Sequence, residues 1–188
     1  MKEVVQTPHE RLDGLMGRAN FQASAHAMLH DQYAFWNAFL TYAALIPTAA
    51  LLLFPLTTDD FVVNALHMLP NTFKIVNAIV ALVAFVAVLI QMVWRPDSLA
   101  KAHRRAVTHY TDAKFAARRL LENEHIDATD ARILEEKYLD VQGLPAIPED
   151  RFLRLKQRHL QKLSVSKQLD QDPWLPLLRL PWQKSKHN

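Results

Sequence analysis

The side chains best equipped for chemistry in this sequence are histidines and amides. His26 and His30 are four residues apart, which puts both imidazoles on one face of a helix, and His103 and His109 form a second pair beyond the middle of the chain. Neutral imidazole is a common metal ligand, so four histidines gathered at the edge of an apolar segment are the raw material of a metal site. Membrane-bound di-iron enzymes build theirs from more histidines, on more membrane segments, with acidic partners. Here the i,i+4 pair stands without such partners, and the chain has no cysteine. No phosphate-binding glycine loop, nucleophile elbow or HExxH occurs in the sequence. The expectation is therefore a non-enzyme with no metal and no cofactor, with His26, His30, His103 and His109 as the weak metal candidates.

The amides lie where amides are costly. Asn37, Thr41, Ala44 and Thr48 are spaced four, three and four. Asn77, Ala81, Ala84, Val88 and Gln91 are spaced four, three, four and three. Each set is a heptad-like stripe on one helix face, and both stripes lie inside long apolar runs. Small residues let helices approach closely and amides hydrogen-bond across the gap, so packing glue is the first reading of Asn37, Thr41, Thr48, Asn77 and Gln91. The sharper reading is that some line a water-filled path once several copies assemble. No Asp, Glu or Arg sits inside either run, which argues against a proton-coupled transporter or a voltage sensor.

The elements that must carry these stripes are two uncharged segments. Residues 35–56 read FWNAFLTYAALIPTAALLLFPL and residues 75–94 read IVNAIVALVAFVAVLIQMVW. At 1.5 Å per residue, about twenty residues cross the roughly 30 Å hydrocarbon core of a bilayer. The alternative, two core helices of a soluble protein, needs a polar shell larger than the rest of the chain supplies. Tyr33, Phe35, Trp36 and Trp94 stand at the ends of the runs, where aromatic rings favour the headgroup layer. Pro47 and Pro55 lie within the first run and are tolerated where neighbouring helices compensate.

Charge orients the pair. Of 22 Lys and Arg, only Lys2, Arg11, Arg18 and Lys74 precede residue 95. Arg95, Lys101, Arg104 and Arg105 follow the second run closely and form the basic membrane-proximal group. The positive-inside rule then puts both termini in the cytoplasm and the connection 57–74, with Asp59 and Asp60, outside. Within that connection FVVNALHML is suited to a short interfacial helical turn. The polar N-terminus has no apolar run before residue 33 and does not read as a cleaved signal peptide.

With three glycines and no hairpin turn signal, the remainder reads as helix. The predicted organisation is an N-terminal cytoplasmic segment 1–34 with a helix over 20–34, a transmembrane hairpin 35–94, a cytoplasmic helical domain 95–169 and a Trp- and Pro-rich tail 170–188. Within 95–169 one helix, capped at Asp97 or Ser98, continues the second span to about residue 123. Its Ala-rich stripe of Leu99, Ala102, Ala106, Tyr110, Ala113, Ala117 and Leu120 calls for close pairing, with the N-terminal helix as one candidate. A second runs from Thr129 to about Gln142 with Ile133, Leu134, Tyr138 and Val141 inward, stopped by Gly143. A third begins at Pro148 with Glu149 and Asp150 in its first turn and carries Phe152, Leu155, His159, Leu160, Leu163 and Ser166 on its apolar side. The tail suits a bilayer surface or a partner. The fold class is an all-α membrane protein: a two-helix transmembrane hairpin with a cytoplasmic helical domain.

The basic run from Arg95 to Arg119 has no aromatic platform beyond Tyr110 and Phe115. It therefore reads as a topology and lipid determinant rather than a nucleic-acid surface.

The layout over residues 20–169 resembles the SLATT family of two-transmembrane effectors from bacterial nucleotide-signalling and other anti-phage systems. What carries the resemblance is the N-terminal helix, the hairpin with a short outside loop, the Ala- and His-containing helix behind it, and LPAIPEDRFLRLKQRHLQKLSVSKQL over residues 144–169. Retron-linked two-span effectors are similar in size and plan. The resemblance implies a latent effector of the bacterial inner membrane, a homo-oligomer partnered by membrane lipids and a defence sensor. On activation it would permeabilise the membrane and cause growth arrest or death. The competing classes are a non-lytic tether for a cytoplasmic complex and a metal-dependent membrane enzyme.

Overall fold

Thr7 starts the first helix. Glu10 N–H donates to the Thr7 hydroxyl at 3.3 Å and Thr7 N–H to Glu10 Oε2 at 2.9 Å, a capping box with Pro8 at the first helical position. The computed structural model describes residues 7–53, 70–123 and 126–171, and every regular element among them is an α-helix. These are α1 Pro8–Leu53, α2 Pro70–Trp94, α3 Pro96–Leu121, α4 Ala128–Leu139 and α5 Glu149–Gln171. The helix expected over 20–34 thus begins twelve residues earlier, and α1 runs on through Pro47. Residues 70–74, read as the end of a loop, are the first turn of α2. The expected interfacial turn in FVVNALHML, together with Pro55, Asp59 and Asp60, and all but the first two residues of the tail lie outside the described residues.

α3 does not simply continue α2. Arg95 between them adopts φ 49°, left-handed and costing an L-residue about 1–2 kcal/mol. Pro96 imposes this break, because a following proline disfavours the right-handed helical region. The Arg95 carbonyl then receives Ser98 N–H at 3.1 Å, Leu99 N–H at 3.3 Å and the Ser98 hydroxyl at 2.9 Å, so α3 starts at Pro96 rather than at Asp97 or Ser98.

The chain forms two compact units, one of residues 1–28 with 106–188 and one of residues 29–105. In the first, Leu12, Leu15 and Ala19 of α1 pack with Ala106, Tyr110, Ala113 and Ala117 of α3 and with Ala131, Leu134 and Tyr138 of α4. The alanines let the helix backbones come close, and the N-terminal helix is the partner of the Ala-rich stripe. α5 contributes Leu155 and His159, with Phe21 edge-on to Phe152 at 5.4 Å and to His159 at 5.5 Å. Phe152, Leu160 and Leu163 are exposed. In α4 Ala131 is buried while Ile133 and Val141 are exposed. That helix opens on Asp127, whose carboxylate accepts Thr129 N–H at 2.9 Å, and ends at Leu139 before Val141 is reached. Gly143, at φ 75°, serves the turn that follows.

In the second unit α1 and α2 bury Leu40, Ala84 and Ala87. α3 adds Pro96, Ala100 and His103, spaced four and three. This phase is set by the break at Arg95, which leaves Leu99 and Ala102 half-buried instead. Almost everything else apolar faces outward. Of the most apolar eighteen-residue stretch of each long helix, 6% and 11% is buried. Both helices are long and apolar enough to cross a membrane.

Candidate functional site

Gln91 is the point where the two apolar helices meet through polar atoms. Its Nε2 donates to the Thr41 hydroxyl at 2.9 Å and to Asn37 Oδ1 at 3.3 Å. Thr41 in turn donates to the Asn37 carbonyl at 2.8 Å, which fixes its hydroxyl as an acceptor toward Gln91. An amide in an apolar setting needs such partners, because an unmet buried polar group costs about 1–3 kcal/mol. Three of the five predicted stripe residues therefore form one cluster across the helix pair.

The other two stand apart. Thr48 donates back to the Ala44 carbonyl at 2.7 Å, satisfying itself within α1. Asn77 is fourteen residues from Gln91 on the same helix, about 21 Å along its axis. Its Oδ1 is buried without a hydrogen-bond partner. Beside the Gln91 cluster lies an open groove of about 420 Å³, lined by Thr41, Ala44, Leu45, Thr48, Ala49, Leu52 and Gln91. Small and hydroxyl-bearing residues on its floor give a shape into which another helix fits.

An aromatic collar sits at one end of the pair. Trp94 meets Tyr33 and Trp36 at 6.0 Å each, and Trp36 contacts Phe35 at 6.0 Å and Phe39 at 5.7 Å. The predicted basic residues follow directly. Arg95, Lys101, Arg104 and Arg105 are all exposed, and Lys101 pairs with Asp97 at 2.6 Å.

The four histidines do not converge. His26 is buried and stacks on Tyr110 at 5.5 Å. His103 is buried and stacks on Tyr33 at 5.4 Å, nearly parallel. His30 Nδ1 is 2.9 Å from the Ala100 carbonyl, so that nitrogen carries the proton and donates. His109 Nε2 is buried without a hydrogen-bond partner in a cleft of about 80 Å³ that Asp112 and Lys137 also line. Among the described residues no group of three or more His, Cys, Asp or Glu is placed to hold a metal ion. These rings pack helices, each stack contributing about 0.5–1.5 kcal/mol.

Burial pushes the Tyr110 phenol above its usual range, with Tyr138 nearby adding to the effect. Burial also raises Tyr138, and the Arg18 guanidinium 6.0 Å from its ring partly offsets this. Both phenols stay neutral in the core. Sequence reasoning passed over two signals here. Thr7-Pro8-His9-Glu10 spells the capping box that starts α1. His26–Tyr33 and His103–Tyr110 share a seven-residue spacing, the repeat that lets each ring of one pair find a ring of the other.

No protein-family model, curated protein or solved structure matches the chain.

Proposed function

We propose that the chain is a two-span effector of the bacterial inner membrane, similar in plan to the SLATT effectors of anti-phage systems. Both termini are cytoplasmic, and copies assemble through the hairpin to depolarise the membrane when a defence sensor activates them. The observation that carries the membrane reading is the outward face of the helix pair. Among the described residues from Phe35 to Trp94, twenty large hydrophobic side chains are exposed. At about 1.5–3 kcal/mol for each side chain removed from water, lipid stabilises this surface by tens of kcal/mol. The aromatic collar and the basic residues behind it mark one interface, and the basic side is cytoplasmic by the positive-inside rule.

Assembly is supported by the groove at Thr41, Thr48 and Gln91, which is open in the single chain. A two-helix subunit cannot enclose a conducting path alone, so conduction needs several copies. The same polar residues that hold the resting hairpin would then face water.

The test is induced expression in bacteria with a membrane-potential dye. Rapid depolarisation and growth arrest are expected, and both should be lost in the Asn77→Leu, Gln91→Leu double variant, whose added leucines keep it membrane-inserted. Unchanged toxicity in that variant counts against the polar stripes as the working part. Membrane localisation without a growth defect replaces the effector by a tether for a cytoplasmic complex.

A further inference from the structure

Two of the cations of α5, Lys156 and Lys167, lie on a strip of the helix apart from its other basic residues. From Arg151 to Leu169 the helix carries Arg151, Arg154, Lys156, Arg158, Lys162 and Lys167 and no acidic residue. Glu149 and Asp150 stand in its first turn, where they suit the helix's positive end, and Asp170 closes it. Leu155 and His159 point inward. On the flank, Leu153, Leu160 and Leu163 are 76%, 55% and 38% exposed. At 3.6 residues per turn these three leucines and Lys156 and Lys167 fall in an arc of about 80°. Leucines and lysines thus share one strip, with no ion pair to either lysine among the described residues.

We infer that this strip of α5 docks on an anionic bilayer surface, an inference that rests on the membrane reading above. Lysine stems are long enough for the ammonium groups to reach lipid phosphates while the leucines enter between headgroups. The strip's charge disfavours a second copy of itself as occupant. Nucleic acid would satisfy the cations but leave the leucines without a role. The strip's own residues, Leu153, Lys156, Leu160, Leu163 and Lys167, include no ring on which a base could stack.

The chain has no cysteine, so single labels are clean. The full chain carrying Leu160→Cys, labelled with an environment-sensitive fluorophore, is reconstituted in nanodiscs of phosphatidylcholine alone or with one-third phosphatidylglycerol. Val86→Cys, labelled in the same way, reports insertion of the span, and Leu153→Cys is a second reporter on the strip. A blue shift at Leu160 and Leu153 is expected only with anionic lipid and should be reversed by high salt. The docked fraction should fall about fivefold for each lysine neutralised, in Lys156→Gln and Lys167→Gln. Equal signals in both lipids, or an anionic-lipid shift unaltered by these substitutions, overturn the inference. So does a shift given by a single-stranded oligonucleotide and not by anionic lipid. Failure at Leu160 and Leu153 with Val86 shifted removes this docking alone, whereas an unshifted Val86 removes the membrane reading.

Discussion

The Thr41–Gln91 hydrogen bond can be isolated with a double-mutant cycle. Thr41→Val keeps the shape of the side chain and removes the hydroxyl; Gln91→Leu keeps the bulk and removes the amide. The bond is 2.9 Å long and joins the two helices directly. Interhelical hydrogen bonds in membrane proteins average about 0.6 kcal/mol and reach about 1.7 kcal/mol. The coupling energy should fall in that interval, a factor of about three to eighteen in the unfolding equilibrium. Thr41→Val also removes the bond to the Asn37 carbonyl, and Gln91→Leu also removes the 3.3 Å contact with Asn37. Each of those losses occurs with or without the other substitution, so both cancel in the cycle. The assay is reversible unfolding of the full chain in mixed micelles, followed by helix content. Thr48→Val paired with Gln91→Leu is the control, because the Thr48 hydroxyl is committed to the Ala44 carbonyl. A Thr41–Gln91 coupling below about 0.5 kcal/mol, or no larger than the Thr48 control, refutes the cluster as a fastener, since independent sites add to within about 0.3–0.5 kcal/mol.

Asn77→Leu should leave the hairpin equally or more stable in the same assay, because it deletes a buried oxygen without a partner. Ala117→Leu should destabilise the unit of residues 1–28 and 106–188 by about 1–3 kcal/mol, visible as a lowered melting temperature, since Ala117 is fully buried between close helices. Gly14→Ala and Gly17→Ala should each stabilise α1 by about 0.4–1 kcal/mol, because both positions are helical and open to an added methyl group. Burial lowers the His159 pKa, with Lys162 adding to the effect. The folded state therefore binds fewer protons there than the unfolded chain. That stabilising contribution is fully present above pH of about 6.5, the ordinary imidazole value, and is lost as pH falls below it through the lowered folded value. In His159→Gln, stability between about pH 7 and 5 should depend less on pH than in the natural chain, read from melting temperatures across that interval.

The sequence by itself determined that this chain is helical and holds two segments fit to span a bilayer. Those properties are local: uncharged length, a 3.6-residue period, few glycines and caps readable from a handful of neighbours. The heptad spacing of Asn37, Thr41, Asn77 and Gln91 likewise announced two sticky faces. Which atoms on those faces meet was decided only in three dimensions. Gln91 reaches Asn37 and Thr41 because the helices pair so that the end of α2 lies beside the middle of α1, and that register leaves Asn77 about 21 Å away. A period fixes a face but carries no information on depth along the axis. The histidines show the same limit from the other side. The i,i+4 spacing of His26 and His30 fits metal ligation as well as packing, and the tertiary structure stacks His26 on Tyr110 and sets His30 Nδ1 against the Ala100 carbonyl. Arg95 marks the third point, where the left-handed residue before Pro96 starts α3 at Pro96 and buries Pro96, Ala100 and His103 in place of Leu99 and Ala102, while Ala106, Tyr110, Ala113 and Ala117 are buried as their spacing predicts. Phase, register and pairing depend on contacts between residues far apart in the chain, and only the folded molecule brings those residues together.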